Sequence, residues 1–355
     1  MITKLELKNF RGFRDFTLEG IRPITLVAGA NNVGKSTLLE SLFLFMDRNS
    51  SDVFMKLNAF RGVQKLNPSP SVVWETLFTH MDTGNRIVVS IEDDGQTQSL
   101  TLGKDEFFSL SSVIKAQSRT DAADLGMPIY NSYPLETNYE CNERKEVSHF
   151  VLSEKGIALH FGKSVHAPTK YVYYMGGNII VPPHLVAEFL SQIDLAGKHG
   201  ECIDALKILE QRIKDVSVVV IGGIGGVYAD LGEPKKFPLN VLGGGVNKLM
   251  QIVATMLANP GSIFLVDEIE NGFHYSFFPA LWKIIGKLAA ETRCQFFATT
   301  HSYECISGAR DLATGDPEGR LFRFVRLDKQ GETVVPRIFE NDSFDYAIQS
   351  DLEVR

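Results

Sequence analysis

Hydrophobic and polar positions along the chain follow the two periods that distinguish strands from helices. Short apolar runs, some of them alternating with polar residues, predict strands. These strands cover residues 2–7, 24–28, 86–91, 170–174, 216–221, 263–266, 295–299 and 321–326. Apolar residues at helical spacing predict helices over 36–47, 246–258 and 277–290. Strands that alternate with helices indicate an α/β fold with a mixed or parallel sheet and flanking helices.

The middle of the chain departs from this alternation. Clear periodicity is lost over about 103–148, and a stretch of that length is usually functional or mobile, so we expect an insertion there. Residues 182–215 predict two amphipathic helices split at 197–200, which form either a hairpin packed on the core or a dimer contact. The expected organisation is an N-terminal lobe over 1–102, an inserted helical subdomain over 103–215 and a C-terminal lobe over 216–355.

A glycine-rich segment follows the apolar run at 24–28. Its sequence, G-A-N-N-V-G-K-S over 29–36, fits the phosphate-binding pattern G-x-x-x-x-G-K-[S/T] at every constrained position. Backbone N–H groups of the loop and of the helix N-terminus would cradle phosphates, because both are electropositive. Lys35 would reach the β- and γ-phosphates and the Ser36 hydroxyl the Mg²⁺. The residues of this segment predicted to contact the nucleotide are Asn31, Asn32, Gly34, Lys35, Ser36 and Thr37.

Two carboxylates follow another apolar run. Residues 263–266 predict a fully buried strand, and Asp267 and Glu268 come directly after it. Their desolvation would be costly unless they met a cation or a reacting water, so we expect Asp267 to bind Mg²⁺ and Glu268 to act on water. His301 lies just past the next strand, at 295–299. Because open α/β sheets bind ligands at the carboxyl ends of their strands, we interpret His301 as functional rather than structural.

Composition excludes some classes of protein. A chain of 355 residues with 44% hydrophobic content can bury a substantial core, in one large domain with insertions or in two domains. No apolar run approaches the ~20 residues of a membrane-spanning helix. The alternation over 1–8 is typical of a strand and not of a secretory signal, so we expect a cytoplasmic protein. Four cysteines without C-x-x-C spacing predict buried thiols rather than a zinc site or a disulfide framework.

The net charge of −7 gives no overall nucleic-acid footprint. The first 22 residues are nevertheless locally basic, because five Lys and Arg residues outnumber three acids there. These basic residues are Lys4, Lys8, Arg11, Arg14 and Arg22. Direct contact with DNA and an ordinary solvated face therefore both stay open.

These motifs together resemble those of the ATP-binding-cassette ATPases of the RecF, SMC and OLD superfamily. The resemblance is carried by Asn9-Phe10-Arg11-Gly12-Phe13, the glycine loop, Asp267-Glu268 and Thr300-His301-Ser302. The run D-E-I-E-N-G-F-H over 267–274 is most similar to stand-alone ATP-binding proteins related to OLD nucleases, found in bacterial anti-phage systems. In that family a variable insertion separates the two lobes. Such an insertion would explain why the glycine loop at 29–36 and the pair Asp267-Glu268 lie so far apart in the sequence.

The resemblance implies a role for each matching residue. Lys35 would bind phosphate, Ser36 and Asp267 would hold Mg²⁺, Glu268 would polarise the attacking water, and His301 would sense the γ-phosphate. The implied cofactors are ATP and Mg²⁺, and the implied activity is hydrolysis of ATP to ADP and phosphate.

Other family features are less firmly placed on this chain. Arg11, and with it Arg14, would lie near the nucleotide, while Glu270 and Asn271 would lie in the loop that faces a second subunit. Family members also carry a glutamine that links the metal to the insertion. Gln64 lies near the lobe where this glutamine is expected, but no motif around it supports the assignment. It is therefore left out of the predicted site.

Family members close their sites by dimerising around ATP, and each subunit presents a glycine segment at a helix N-terminus to the other subunit's γ-phosphate. The candidate here is Gly243, Gly244 and Gly245, just ahead of the helix predicted over 246–258. Glycines let the backbone approach a phosphate, and the helix dipole favours an anion. The segment lacks the usual serine, since Leu242 precedes Gly243. A flexible turn is the alternative interpretation.

The resemblance implies an ATP-hydrolysing switch that forms a homodimer or a higher homo-oligomer. OLD nucleases carry a C-terminal nuclease domain, whereas this chain ends about 54 residues after His301. We therefore expect a separate effector, a nuclease or a toxin, in a DNA-repair or anti-phage complex away from the membrane. Two alternatives stay open: the nucleotide-binding subunit of a membrane transporter, and a module that binds nucleotide without hydrolysing it.

Overall fold

Two β-sheets enclose the helix that follows the glycine loop. The computed structural model describes residues 1–63, 73–105, 134–153, 156–161, 170–176, 181–316, 318–350 and 352–355. The first sheet has six strands in the order β16-β15-β3-β14-β13-β9. All neighbouring pairs in it are parallel except β15 with the edge strand β16. Its strands are β3 (Ile24–Gly29), β9 (Val172–Met175), β13 (Ile263–Val266), β14 (Gln295–Thr299), β15 (Phe322–Gln330) and β16 (Thr333–Phe339).

The second sheet is antiparallel and has seven strands in the order β2-β1-β4-β5-β6-β7-β8. Its strands are β1 (Ile2–Phe10), β2 (Phe13–Glu19), β4 (Ile87–Asp93), β5 (Gln96–Lys104), β6 (Leu135–Cys141), β7 (Arg144–Ser153) and β8 (Gly156–Phe161). A small third sheet consists of β10 (Asp215–Ile221), β11 (Ile224–Asp230) and β12 (Phe237–Pro238).

Nine α-helices lie in the described part of the chain. They are α1 (Lys35–Met46), α2 (Val53–Phe60), α3 (Pro183–Leu195), α4 (His199–Leu209), α5 (Gly244–Ala258), α6 (Phe278–Thr292), α7 (Tyr303–Gly308), α8 (Arg310–Thr314) and α9 (Asn341–Gln349). Short 3₁₀ turns cover Glu75–Leu77, Thr79–Met81, Leu239–Leu242 and Tyr275–Phe277.

Helix α1 is buried almost all round, with eleven of its twelve residues buried. One hydrophobic cluster joins it to both sheets through residues such as Leu7 of β1 and Phe297 of β14. A second cluster covers the other face of the six-stranded sheet with α5 and α6. The glycine loop is therefore supported on both sides by packed apolar layers, which fixes its backbone.

Every strand and helix predicted from periodicity exists, and the ends of most shift by one or two residues. The prediction of a helical subdomain over 103–215 needs correction, because β6, β7 and β8 extend the antiparallel sheet and β9 joins the central one. Only α3 and α4 are helical in the described part of that range. The apolar face of α3 packs on the core beside α5. Residues 106–133 lie outside the described part, and the lobe boundaries stay a prediction.

The sequence-based expectation for the cysteines is confirmed, because Cys141, Cys202, Cys294 and Cys305 are all buried free thiols. In the described part of the chain, no helix is both long enough and apolar enough to cross a membrane.

Candidate functional site

The glycine loop connects β3 to α1 and can form only with glycine at its ends. Gly29 and Gly34 have φ angles of 142° and 109°, which residues with a side chain rarely adopt. A Cβ on Gly34 would also lie 2.8 Å from Cζ of Phe13, and one on Gly29 would lie 2.6 Å from the carbonyl oxygen of Leu327. Both glycines therefore pack against their neighbours without room for substitution.

The first turn of α1 directs backbone donors out of the helix. The first intrahelical bond joins the N–H of Leu38 to the carbonyl of Gly34 at 2.9 Å. The preceding N–H groups, from Lys35 to Thr37, have no acceptor within the helix. Together with the helix dipole, these donors form a site for an anion. A cavity lies at this end of the helix, and its lining includes Asn31, Asn32, Ser36 and Thr37.

The ammonium of Lys35 lies inside the loop. It donates to the carbonyl oxygens of Gly29 at 2.6 Å and Ala30 at 2.9 Å, and it lies 3.2 Å from Nδ1 of His301. The residue is 5% exposed. Burial lowers the pKa of Lys35, and Asp267, Glu270 and Glu268 oppose that change. A phosphate placed beside this ammonium would find a cation that is only weakly solvated.

The acidic side of the site follows from the register of the central strands. Val266 pairs with Ala298, so Asp267 and Thr299 emerge at the same edge of the sheet. Asp267 accepts hydrogen bonds from the hydroxyls of Thr299 and Tyr174, the latter at 3.2 Å. These two donors fix the orientation of the carboxylate, as partners of a metal ligand commonly do. Burial raises the pKa of the Tyr174 hydroxyl, with Asp267 adding to the shift, so Tyr174 remains a donor.

Glu268 adopts a backbone conformation that is uncommon for a residue with a side chain, with φ of 49°. Its N–H donates to Oγ1 of Thr299 at 2.9 Å, and its Oε2 accepts from Nδ2 of Asn271 at 2.7 Å. Its Oε1 lies 3.8 Å from Nε2 of His301. Because the ammonium of Lys35 can only donate to Nδ1 of His301, Nε2 carries the hydrogen of the neutral ring and faces Glu268.

These groups line one cavity of about 940 Å³. The predicted site residues in its lining are Arg11, Asn31, Asn32, Gly34, Lys35, Ser36, Thr37, Asp267, Glu268 and His301. Arg14 lines it as well. Folding therefore brings together the two distant motifs of the sequence. Gln64 lies outside the described residues.

A charged cluster in the cavity lining was not predicted from the sequence. Glu40, on α1, is 1% exposed and accepts both Nε and Nη2 of Arg61, at 2.7 and 3.0 Å. It also lies 3.0 Å from Nε of Arg11, whose side chain is 8% exposed. Burial lowers the pKa of Arg11 to about 10, while Glu40 opposes that change. A lone acid within the apolar pattern of α1 was the available sequence signal.

The glycine segment is the one predicted element that the structure does not bring into the cavity lining. Gly243 and Gly244 are exposed at the N-terminus of α5, and a Cβ on either would meet open space. Gly245 is buried, and a Cβ there would lie 2.6 Å from the carbonyl oxygen of Gly272. Oε1 of Glu270 accepts the backbone N–H of His301 in the same chain at 2.7 Å. That the loop with Glu270 and Asn271 faces a second subunit stays a prediction.

The donor set fits a magnesium nucleotide. The loop amides and Lys35 suit phosphate, while the hydroxyl of Ser36 and the carboxylate of Asp267 are the hard oxygen ligands that Mg²⁺ prefers. All of these residues line the same cavity. Another possible metal-binding group, Asp105, Glu136 and His149, has its donor atoms within 4.8 Å of one another, but none of the three lines this cavity.

Comparisons with known proteins agree with this geometry. The family described as "AAA ATPase domain" matches residues 1–159, and "AAA domain, putative AbiEii toxin, Type IV TA system" matches residues 171–307. The chain is 23% identical over 371 residues to an "ATP/GTP phosphatase" of Helicobacter pylori, covering 99% of both chains. It is 22% identical over 381 residues to an "OLD nuclease" of Thermus scotoductus, covering 96% of this chain and 65% of the nuclease.

The fold is also found among solved structures. The Smc head domain with an extended coiled coil, bound to the C-terminal domain of ScpA from Pyrococcus furiosus, superposes with a TM-score of 0.50 at 11% identity. The match covers 99% of each chain and concerns the fold. With the glycine loop and the carboxylate pair Asp267 and Glu268 assembled on this fold, these matches support an ATP-binding-cassette-type ATPase of the RecF, SMC and OLD type.

Proposed function

We propose that this protein is an ATP-hydrolysing molecular switch whose cavity at the glycine loop binds ATP and Mg²⁺. The observation that carries the proposal is the meeting of the Lys35 ammonium, the Asp267 and Glu268 carboxylates and the His301 ring in one cavity. A cation beside backbone donors suits the phosphates, and a carboxylate pair at the opposite side suits a metal and a water. The relative described as an ATP/GTP phosphatase supports hydrolysis rather than binding alone.

These four groups and the hydroxyl of Ser36 would divide the work. Lys35 neutralises charge on the β- and γ-phosphates, and Ser36 and Asp267 hold Mg²⁺. The bound Mg²⁺ would neutralise the negative charge that the transferred phosphoryl group carries. Glu268 orients the attacking water and takes its proton, and Nε2–H of His301 contacts the γ-phosphate. Asn31, Asn32, Gly34 and Thr37 complete the loop around the phosphates, with Arg11 beside them.

We propose further that the site is completed by a second copy of the chain. Gly243, Gly244 and the N-terminus of α5 lie outside the cavity of their own chain, and Gly243 and Gly244 are solvent-exposed. An exposed helix N-terminus with two open glycines suits the γ-phosphate held by a partner. Dimerisation around ATP would then convert nucleotide binding into assembly, and hydrolysis would release it.

The wider role we propose is that of the ATPase component in a DNA-repair or anti-phage complex with a separate effector, a nuclease or a toxin. Support comes from the OLD nuclease and from the family described by a putative AbiEii toxin. Direct contact with DNA has less support, because Lys4, Arg11 and Arg14 are ion-paired with carboxylates of their own chain. A cytoplasmic location remains part of the proposal.

The experiment that tests the proposal separates the two neighbouring carboxylates. Glu268→Gln keeps the shape of the side chain but removes the base, so we expect ATP·Mg²⁺ binding to persist while turnover falls roughly a hundredfold or more. Asp267→Ala removes a metal ligand and should instead weaken Mg²⁺-dependent binding. Nucleotide affinity by calorimetry and phosphate release by a colorimetric assay measure the two effects. Identical behaviour of the two variants would refute the division of roles.

A further inference from the structure

The ammonium of Lys248 binds three backbone carbonyls of the loop that follows Asp267. Its Nζ donates to the carbonyl oxygens of Glu268 at 3.0 Å, Ile269 at 3.1 Å and Asn271 at 3.1 Å. An ammonium has three hydrogens and no acceptor, so these three bonds use its whole donor capacity. Burial lowers the pKa of Lys248 to about 8, and Glu270 opposes that change. The ammonium has therefore exchanged water for these carbonyls.

The segment that Lys248 binds is the one that orients the catalytic carboxylate. The backbone of Glu268 is left-handed, with φ of 49°. This conformation costs energy and persists only where surrounding contacts hold it. Its N–H is held by Thr299 and its carbonyl by Lys248, one on each side of the residue. Rotation of either peptide would redirect the side chain away from His301. The backbone N–H of Asn271 donates to the same carbonyl at 3.0 Å, and its side chain holds Oε2 of Glu268. Lys248 therefore contributes one of several restraints on the position of Glu268, and it is the one that comes from α5.

Lys248 also belongs to the helix that begins with the exposed glycines. It lies one turn after Gly244 in α5, and Gly245 packs directly against the carbonyl of Gly272 at the end of the same loop. The N-terminus of α5 and the loop over 268–272 are therefore joined by backbone contact and by three hydrogen bonds. A shift of the glycine segment would be transmitted to Glu268.

We propose that Lys248 is a positioning residue that sets the orientation of Glu268 and couples it to the glycine segment of its own chain. That segment would contact the γ-phosphate held by the partner's phosphate loop. The contact would then adjust Glu268 of the same chain, which acts on the nucleotide held by its own phosphate loop. This rests on the proposed function, because it has meaning only if Glu268 acts on water. Lys248 itself touches no substrate in this scheme.

The test is a double-mutant cycle on the full-length protein. Lys248→Met removes all three bonds at similar volume, and we expect kcat to fall about tenfold to a hundredfold, as for a misplaced catalytic group. KM for ATP and the affinity for ADP should change less than about twofold, because the phosphate loop is untouched. In a Glu268→Gln background, Lys248→Met should lower the residual single-turnover rate by less than about twofold, since residues that act as a unit are not additive.

Two further variants complete the design. Lys283→Met makes the same change at an exposed lysine of α6 and should leave kcat unchanged. Lys248→Arg keeps the charge and several donors, so its loss of kcat should be smaller than that of Lys248→Met. If Lys248→Met does not fold, Lys248→Arg takes its place in the double-mutant cycle.

The possible failures are distinct. If Glu268→Gln alone kept wild-type turnover, the proposed function and this inference would both fall. If Glu268→Gln lost activity but Lys248→Met lowered the rate equally in both backgrounds, or raised KM in parallel, Lys248 would be structural and only this inference would be overturned.

Discussion

The buried cluster around Glu40 allows a prediction whose size follows from the geometry. Glu40→Gln keeps the side-chain volume but removes the negative charge that faces Arg11 and Arg61. The side chain of Arg61 is 44% exposed and can turn to water, whereas that of Arg11 is 8% exposed and cannot. The pKa of Arg11, about 10, keeps its guanidinium charged at neutral pH. The variant therefore leaves one buried charge without its counter-ion.

Breaking a buried pair by removing one partner costs about 3–5 kcal/mol. We expect Glu40→Gln to lose about 3–4 kcal/mol, toward the lower part of that range because a glutamine oxygen can still accept one hydrogen bond. Equilibrium unfolding in urea measures the change as a lower midpoint with an unaltered slope. The double variant Glu40→Leu, Arg11→Met should recover most of the loss, because it removes both buried charges.

An exposed ion pair that lines the same cavity serves as the control. Glu332 lies 2.6 Å from Nη1 of Arg14, but both side chains are exposed. Glu332→Gln should therefore cost less than about 1 kcal/mol. If Glu40→Gln were no more destabilising than Glu332→Gln, the cluster would not contribute to stability as its burial implies, and the reasoning would be refuted.

Two further predictions concern the phosphate side of the cavity. Lys35→Ala removes the cation on the β- and γ-phosphates, so tight ATP binding should be lost while circular dichroism and the unfolding midpoint stay close to wild type; unchanged affinity in the folded variant would contradict the assigned site. His301→Ala should slow turnover with little change in ADP affinity, since the proposed contact of the imidazole is with the γ-phosphate, which ADP lacks. A parallel fall of ADP and ATP affinities, measured by calorimetry, would instead make His301 a structural residue.

Local sequence was sufficient to predict the elements that carry the chemistry. The strands that end at Val266 and Thr299 are short buried runs, and parallel strands of this kind are apolar on both faces. The glycine loop was equally readable, because its backbone conformation excludes other residues at Gly29 and Gly34. The positions of Asp267 and His301 in one cavity then follow from the shared edge of the sheet.

The rest depends on tertiary contacts that no local pattern encodes. The antiparallel strands β6 and β7 contain many polar residues, so their alternation is weak and the sequence suggested an insertion instead. Helix α1 lies between two sheets, so the burial of Glu40 cannot be read from the helical period. Lys248 is one basic residue in an amphipathic helix, and only the folded chain brings the carbonyls of the loop over 268–271 to it.

The structure also changes how the glycine segment should be probed. Both Gly244 and Gly245 belong to the predicted segment, but a side chain on Gly245 would collide with the carbonyl of Gly272 in its own chain. An aspartate there would disturb the loop that carries Glu268, whatever a partner does. Gly244 faces open space, so Gly244→Asp adds a carboxylate without an internal clash.

The most direct test of the central claim is ATP turnover in a mixture of Gly244→Asp and Lys35→Ala subunits. Gly244→Asp alone should bind ATP but not hydrolyse it, because like charges at ~4 Å repel by ~4 kcal/mol at an effective dielectric of ~20. Lys35→Ala alone should not bind ATP tightly. In a mixed dimer one site has an intact loop from one copy and an intact glycine segment from the other, so the account predicts that part of the activity returns. No recovery, in mixed dimers verified by differential tags, would contradict a site completed by a second copy.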